Sequence, residues 1–152
     1  EQHYLLSGSG GYGFIAKLAD MVGRVKAGKV VMTVDSGETV LPPIAVYASS
    51  LINPDCKIVL ASSDHRLLAF SIGELKVMPK GRGLQLISLT DGASLEHVLV
   101  TTAAEFIVET VGKRGAAHQE KLRICDIDGK RGKKGKVLDV SGRLKTLSAA
   151  SA

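Results

Sequence analysis

Short apolar runs recur along the chain, each followed by polar turn residues: YLLS 4–7, FIAKL 14–18, KVVMTV 29–34, IAVYA 44–48, KIVLA 57–61, LLAFSI 67–72, LQLISL 84–89, HVLVTT 97–102, EFIVETV 105–111 and KVLDV 136–140. Runs this short and this rich in Val and Ile read as strands, because an amphipathic helix needs a longer face. The joints carry turn chemistry: DSGE 35–38, NPD 53–55, TDG 90–92, DG 128–129 and SG 141–142. Gly, Asp and Asn accept the backbone angles that tight turns require. The pattern predicts an all-β chain with at most a helical turn at 19–22 or 94–97.

The pattern also repeats. LLSGSGGYGFIAKLADM (5–21) lies over VLASSDHRLLAFSIGEL (59–75) at an offset of 54 without a gap, placing Leu6 on Leu60, Phe14 on Leu68, Leu18 on Ile72 and Asp20 on Glu74. KAGKVVMTV (26–34) matches KGRGLQLISL (80–89) with one inserted residue, and KKGKVLDV (133–140) repeats the same basic–glycine–apolar phrase about 52 residues later. Three units are expected within one domain over 1–152, spanning 4–53, 57–104 and 105–147. Four short strands per unit of this length is the signature of a propeller-like blade.

Composition sharpens this in two ways. Aromatic residues make up only 4% and Trp is absent, so the core must be Val, Ile, Leu and Ala. The net charge of +5 is unevenly spread. Residues 1–111 hold nine basic and eleven acidic side chains, whereas 112–152 hold eleven basic and four acidic ones, a net of +7. That asymmetry is the footprint of a surface for a polyanion. Cys56 and Cys125 have neither metal-ligand spacing nor a disulfide framework, and read as reduced, partly buried thiols of a cytoplasmic protein. No apolar run reaches transmembrane length, so no membrane partner is expected. The chain opens on strand-like residues without an initiator Met, as expected of a segment from something longer.

Two motifs compete for attention. GSGGYG 8–13 satisfies G-x-G-x-x-G through Gly8, Gly10 and Gly13, with Asp35 downstream, and so offers a nucleotide-binding alternative. Against it, FIAKLADMVGR meets Gly23 early, and the equivalent stretch of the second unit, SSDHRL 62–67, lacks the glycines. GKRGKKGK 129–136 is not a Walker A loop, because no Gly-Lys-Ser/Thr follows at the required spacing. It reads as an ordered loop before a strand, with Lys130, Arg131, Lys133, Lys134 and Lys136 facing outward. Its glycines would let a sugar-phosphate backbone come close to exposed N–H groups. The plainer alternative is a solvated turn.

Lys113 and Arg114 in GKRG 112–115, with Lys121 and Arg123 in KLR, add to the same surface, and Arg24, Lys26, Lys29, Lys80 and Arg82 extend it through the earlier basic–glycine phrases. This is backbone-gripping chemistry without an aromatic platform for single strands, so duplex DNA is the expected partner. His3, His65, His97 and His118 are scattered, and no catalytic or metal-binding set can be built from spacing. A propeller-like module meeting an acidic protein remains the other class of reading.

GYGFIAKLADMVGRVKAGK 11–29, PPI 42–44, KIVLASSDHRLLAFSIGEL with KGRG, and the terminal VGKRG and DGKRGKKGK together resemble the C-terminal domain of the A subunit of bacterial DNA topoisomerase IV, within the gyrase A/ParC C-terminal β-pinwheel family. The resemblance implies a β-pinwheel whose blades exchange strands and whose basic rim bends duplex DNA. It implies a non-catalytic role in an ATP-hydrolysing type II topoisomerase. The domain would position the transported segment for decatenation and supercoil relaxation, next to the rest of the A subunit, with partners that include the B subunit. ATP and Mg²⁺ would serve the holoenzyme, with no cofactor in this segment and a cytoplasmic, nucleoid-associated location. The glutamine-led Q-x-R-G-G-K-G box of gyrase A is absent, which sets the chain nearer topoisomerase IV. Three units fall short of that family's blade number, so an open or truncated arc is expected.

Overall fold

The computed structural model describes residues 2–19, 37–78, 81–90, 92–112, 115–137 and 143–149. Among these, β1 (His3–Ser7), β2 (Tyr12–Lys17), β3 (Ile44–Val46), β4 (Lys57–Ser62), β5 (Arg66–Ser71), β6 (Leu84–Gln85), β7 (Leu95–Thr101), β8 (Glu105–Val111), β9 (Ala117–Arg123), β10 (Lys136–Val137) and β11 (Arg143–Ala149) build three sheets. Their orders are β3-β1-β2-β6, β10-β5-β4-β7 and β11-β8-β9, with every strand pairing antiparallel. The fold is the all-β, blade-like arrangement that the sequence predicts, and the described residues form no closed barrel.

The second sheet is buried on both faces, which explains its unbroken apolar runs. Successive strand residues point to opposite faces. Ile58, Leu60, Leu68 and Phe70 therefore join Leu5 and Ile15 of the first sheet in one core cluster. Val59, Ala61, Leu67 and Ala69 join Phe106 and Val108 of the third sheet in another. The outer face of the first sheet is closed by Leu6, Phe14 and Ala16, with Tyr4 and Met78 packed against them. The third sheet buries one face only, so β8 alternates Phe106, Val108 and Thr110 inward with half-exposed Ile107, Glu109 and Val111.

The sheets are stitched by strands that cross between units. β6 lies between β5 and β7 in sequence yet pairs with β2, Leu84 opposite Gly13 and Gln85 opposite Tyr12. β10 lies between β9 and β11 yet pairs with β5, Lys136 opposite Leu67 and Val137 opposite Arg66. Each crossing strand follows a glycine in the left-handed region, Gly83 at φ 89° and Gly135 at φ 81°. A Cβ on Gly83 would overlap the Gly13 carbonyl, and one on Gly135 would stand 2.5 Å from the Leu67 carbonyl oxygen. The repeated glycine is thus the point where one backbone passes hard against the next.

Several expectations are corrected. GSGGYG is the turn of the β1–β2 hairpin, closed by Gly8 N–H to Tyr12 O (3.0 Å) and Gly11 N–H to Gly8 O (3.0 Å). A strand follows it, so no helix N-terminus faces a phosphate, and the Glu38 carboxylate packs on Gly10 where an anion would have to lie. The nucleotide-binding alternative fails on both counts. Residues 95–97 open β7 instead of forming a helical turn, and a helical turn occurs at Ala48–Leu51. Of LQLISL only Leu84–Gln85 joins a ladder, while Leu86 and Ile87 leave it to enter the core. Cys56 is buried but Cys125 is exposed. KVVMTV 29–34, most of 19–22, and 138–140 lie outside the described residues.

β9, sequence AHQEKLR, has no apolar periodicity and is exposed along almost its whole length. It is a strand because β8 templates it, from Glu105 opposite Arg123 to Val111 opposite Ala117. Gly135→Ala is expected to destabilise the fold by about 2–4 kcal/mol, combining the left-handed penalty with a backbone clash. Gly37→Ala, at φ 86° with open space around it, should cost only about 1–2 kcal/mol. Urea unfolding of both variants measures the difference, and equal losses would remove the special status of the crossing.

Candidate nucleic-acid interface

The basic loop 129–136 is held in place before any ligand arrives. Arg131 N–H donates to Glu74 Oε1 at 3.0 Å, and the Arg131 guanidinium donates to Gln85 O at 2.7 Å. Gly132 N–H donates to Leu86 O (2.8 Å), Lys133 N–H to Lys130 O (3.3 Å), and Ser88 N–H to Lys133 O (3.0 Å). Ser88 Oγ adds a bond to Gly132 O at 2.8 Å, and Lys136 Nζ donates to Asp126 O at 2.6 Å. The loop of the third unit is therefore laid on the second, along 85–88.

This changes the roles assigned to its residues. The N–H groups of Arg131, Gly132 and Lys133 are bonded within the protein, so the glycines do not open these three donors to phosphate. Arg131 and Lys136 anchor the loop with their side chains. Lys130, Lys133 and Lys134 are exposed, and among the described residues their ammonium groups make no hydrogen bond or ion pair. They form the free positive face of the loop.

Arg82 stands where Lys134 stands, one residue before the crossing glycine. Its guanidinium lies 4.0 Å from the centroid of the Tyr12 ring and 3.4 Å from Glu38 Oε1. The first crossing thus carries a cation that is stacked and counterbalanced, the second a free one. Lys121 is exposed on β9. Arg123 pairs with Asp126 at 3.2 Å, and the hydrogen bond and charge of Asp126 push its already high pKa further up. Arg24, Lys26, Lys29, Lys80, Lys113 and Arg114 lie outside the described residues. Among the described residues no cluster of three or more His, Cys, Asp or Glu is arranged to hold a metal ion.

Sequence reasoning missed the residues that position the loop: Glu74, Ser88, Gln85 O, and Tyr12 with Glu38 beneath Arg82. Only Glu74 left a trace, in its alignment with Asp20. The other partners are joined across at least 44 residues of chain, and no local pattern marks them.

At the β4–β5 turn, Asp64 accepts hydrogen bonds from Ser62 Oγ, from Thr90 Oγ1 (2.7 Å) and from Arg66 Nε (3.3 Å). Partial burial pushes its carboxyl up, but the bonds from Ser62, Thr90 and its own backbone, with the Arg66 charge, outweigh it and hold the pKa below the ordinary 3.8. Burial pushes the Cys56 thiol up, opposed by a bond with Ser50.

A strand-exchanged set of antiparallel sheets, with a basic residue just ahead of each crossing glycine, defines a β-pinwheel domain. No protein-family profile matches the chain. It is 66% identical over 149 residues to the A subunit of DNA topoisomerase 4 from Neisseria gonorrhoeae, covering 98% of this chain and 19% of that protein. Identity is 28% over 143 residues to the protein of the same name from Haemophilus influenzae, covering 91% of this chain and 18% of the relative. In structure it matches the E. coli ParC C-terminal domain with a TM-score of 0.82 at 24% identity, over 100% of this chain and 62% of that one. It matches the DNA gyrase A C-terminal domain with a TM-score of 0.75 at 19% identity, over 99% of this chain and 50% of that one. The chain belongs to the gyrase A/ParC C-terminal β-pinwheel family, on the topoisomerase IV side, and spans about a fifth of the length of the curated relatives it matches.

Because the folded-state pKa of Asp64 is depressed, its contribution to stability is present above pH 3.8 and is lost as pH falls through the lower folded value. Asp64→Asn should therefore be less stable than the parent at pH 7 and approach it below pH 3.8. Paired urea titrations across pH 2.5–7 test this; a gap that does not narrow on acidification contradicts it.

Proposed function

We propose that this domain binds duplex DNA without sequence preference and bends it along the basic rim. It would thereby position the segment transported in ATP-dependent strand passage by topoisomerase IV. The observation that carries the reading is the free face of Lys130, Lys133 and Lys134 on a loop already braced by Arg131 and Lys136. Cations on a braced loop of this kind meet phosphates without first ordering the loop backbone, so less affinity is lost to entropy. Phosphate contacts fix position and carry no base information, which suits a domain that must accept any segment.

In this reading the chemistry lies elsewhere in the holoenzyme. ATP and Mg²⁺ act there, and this domain needs no cofactor. Its protein partners are the rest of the A subunit, plus the B subunit, in the bacterial cytoplasm on the nucleoid. Among the described residues no helix is long and apolar enough to cross a membrane.

A salt series with a short linear duplex tests the proposal. If about five phosphates are contacted, the slope of log affinity against log salt is about −4.5, and converting Lys130, Lys133 and Lys134 to Gln flattens it by about 2.7. The loss should be equal for duplexes of unrelated sequence. Sequence-dependent losses would mean base readout, and no binding at low salt would overturn the DNA reading.

A further inference from the structure

The first two units tie their hairpin turns to the chain downstream by the same reciprocal pair. Ser9 N–H donates to Thr39 O (2.8 Å) and Thr39 N–H to Ser9 Oγ (2.9 Å). Ser63 N–H likewise donates to Ser94 O (2.8 Å) and Ser94 N–H to Ser63 Oγ (2.9 Å). The residues just before Thr39 and Ser94, Glu38 and Ala93, therefore occupy equivalent places. The offset of 54 that aligns Ser9 with Ser63 also sets Gly10 on Asp64 and Tyr12 on Arg66.

Each turn carries a carboxylate, but from a different residue and for a different cation. In the second unit it belongs to Asp64, and Ser62, Thr90 and Arg66 take it up within the turn. Lys134, ahead of the crossing glycine, is left without a counter-charge among the described residues. In the first unit the turn residue is Gly10, and the carboxylate of Glu38 lies over it, where a Cβ would overlap it. Tyr12 stands in the place of Arg66 and carries no charge. A cation within reach is Arg82, whose Nη2 lies 3.4 Å from Glu38 Oε1.

Arg82 is held at the surface by these contacts and is not buried by them. Its side chain keeps 38% of its exposure, and the Tyr12 ring supports the guanidinium at 4.0 Å from the centroid. A guanidinium stacked by its face still offers N–H groups along its edge to an acceptor with two oxygens. A carboxylate is one such acceptor and a phosphodiester is another.

We propose that Arg82 is a phosphate contact of the first crossing that Glu38 keeps masked, its carboxylate standing in for a phosphodiester of the DNA backbone. The inference rests on the duplex-binding reading of the rim. A phosphate reaches Arg82 by displacing the carboxylate, so one anion is exchanged for another and little affinity is gained. Lys134 has no such competitor. DNA therefore engages the second crossing first, and reaches the first once held close beside it. Glu38 sets that order.

Duplex binding by the whole chain, read by fluorescence anisotropy across a salt series, is the test. Glu38→Gln keeps the shape that covers Gly10 and removes the charge. Affinity should rise about fivefold at low salt. The slope of log affinity against log salt should steepen by about 0.9, one phosphate more. Glu38→Ala, which installs the residue of the equivalent place in the second unit, should give the same gain. Asp55→Asn removes an equal charge from an exposed turn that carries neither crossing, and should gain much less. Adding Arg82→Gln to Glu38→Gln should abolish the gain, whereas adding Lys134→Gln should subtract independently of it. Urea unfolding of each variant shows that the fold is kept. A gain no larger than that of Asp55→Asn, or one that survives Arg82→Gln, overturns the masking. If Lys130, Lys133 and Lys134 matter for binding while the Glu38 series is flat, this inference alone falls. No duplex binding by the parent chain overturns it together with the DNA reading.

Discussion

The Leu67 carbonyl oxygen lies 2.5 Å from where a side chain on residue 135 would begin, and the architecture depends on that close passage. Only glycine lets the chain turn through the left-handed region there and still lay its next two residues against β5. The same contact recurs at Gly83 against Gly13. Each crossing also delivers core residues. Leu86 and Ile87, just past the first crossing, enter the cluster built on Ile58 and Phe70, and Ile127, just before the second, enters the one built on Val59 and Phe106. Strand exchange and core packing are therefore one event, and neither sheet interface is complete without its neighbour's strand.

The cationic character of the crossings follows from the same geometry. A loop that leaves one sheet to reach the next must run over the outside, where long charged side chains remain hydrated. Five basic residues in such a short stretch repel one another, but solvent and salt screen exposed charges beyond about 8–10 Å. Protein acceptors take up two of the five: Arg131 bonds Gln85 O, and Lys136 bonds Asp126 O. What faces water with no protein acceptor among the described residues is a smaller set of three lysines. Rigidity and charge thus come from different residues of the one phrase.

The relatives show how little of the sequence this arrangement needs. At 24% and 19% identity the E. coli ParC and gyrase A C-terminal domains still match with TM-scores of 0.82 and 0.75. Many side chains of suitable volume fill a β-sandwiched core, so divergence on this scale is compatible with one fold. Surface charge is under no such packing constraint. The gyrase-type box is absent here although the fold is shared.

Much was legible in the sequence. Apolar runs such as KIVLA and LLAFSI predicted strands, and the structure supplied the reason for their unbroken character, a sheet covered on both sides. The offset of 54 exposed the repeat, and the basic–glycine phrases marked the loops. Tertiary structure alone decided which strand each loop feeds, since pairing across tens of residues leaves no local periodicity. It made a strand of AHQEKLR, whose own side chains have no reason to be one, because β8 offers it a ladder. It also sorted one run of like charges into anchors and free cations. That sorting rests on the Gln85 carbonyl and Glu74 carboxylate of the neighbouring unit and on the Asp126 carbonyl of the same unit, and a sequence read in order cannot show which of them will be near.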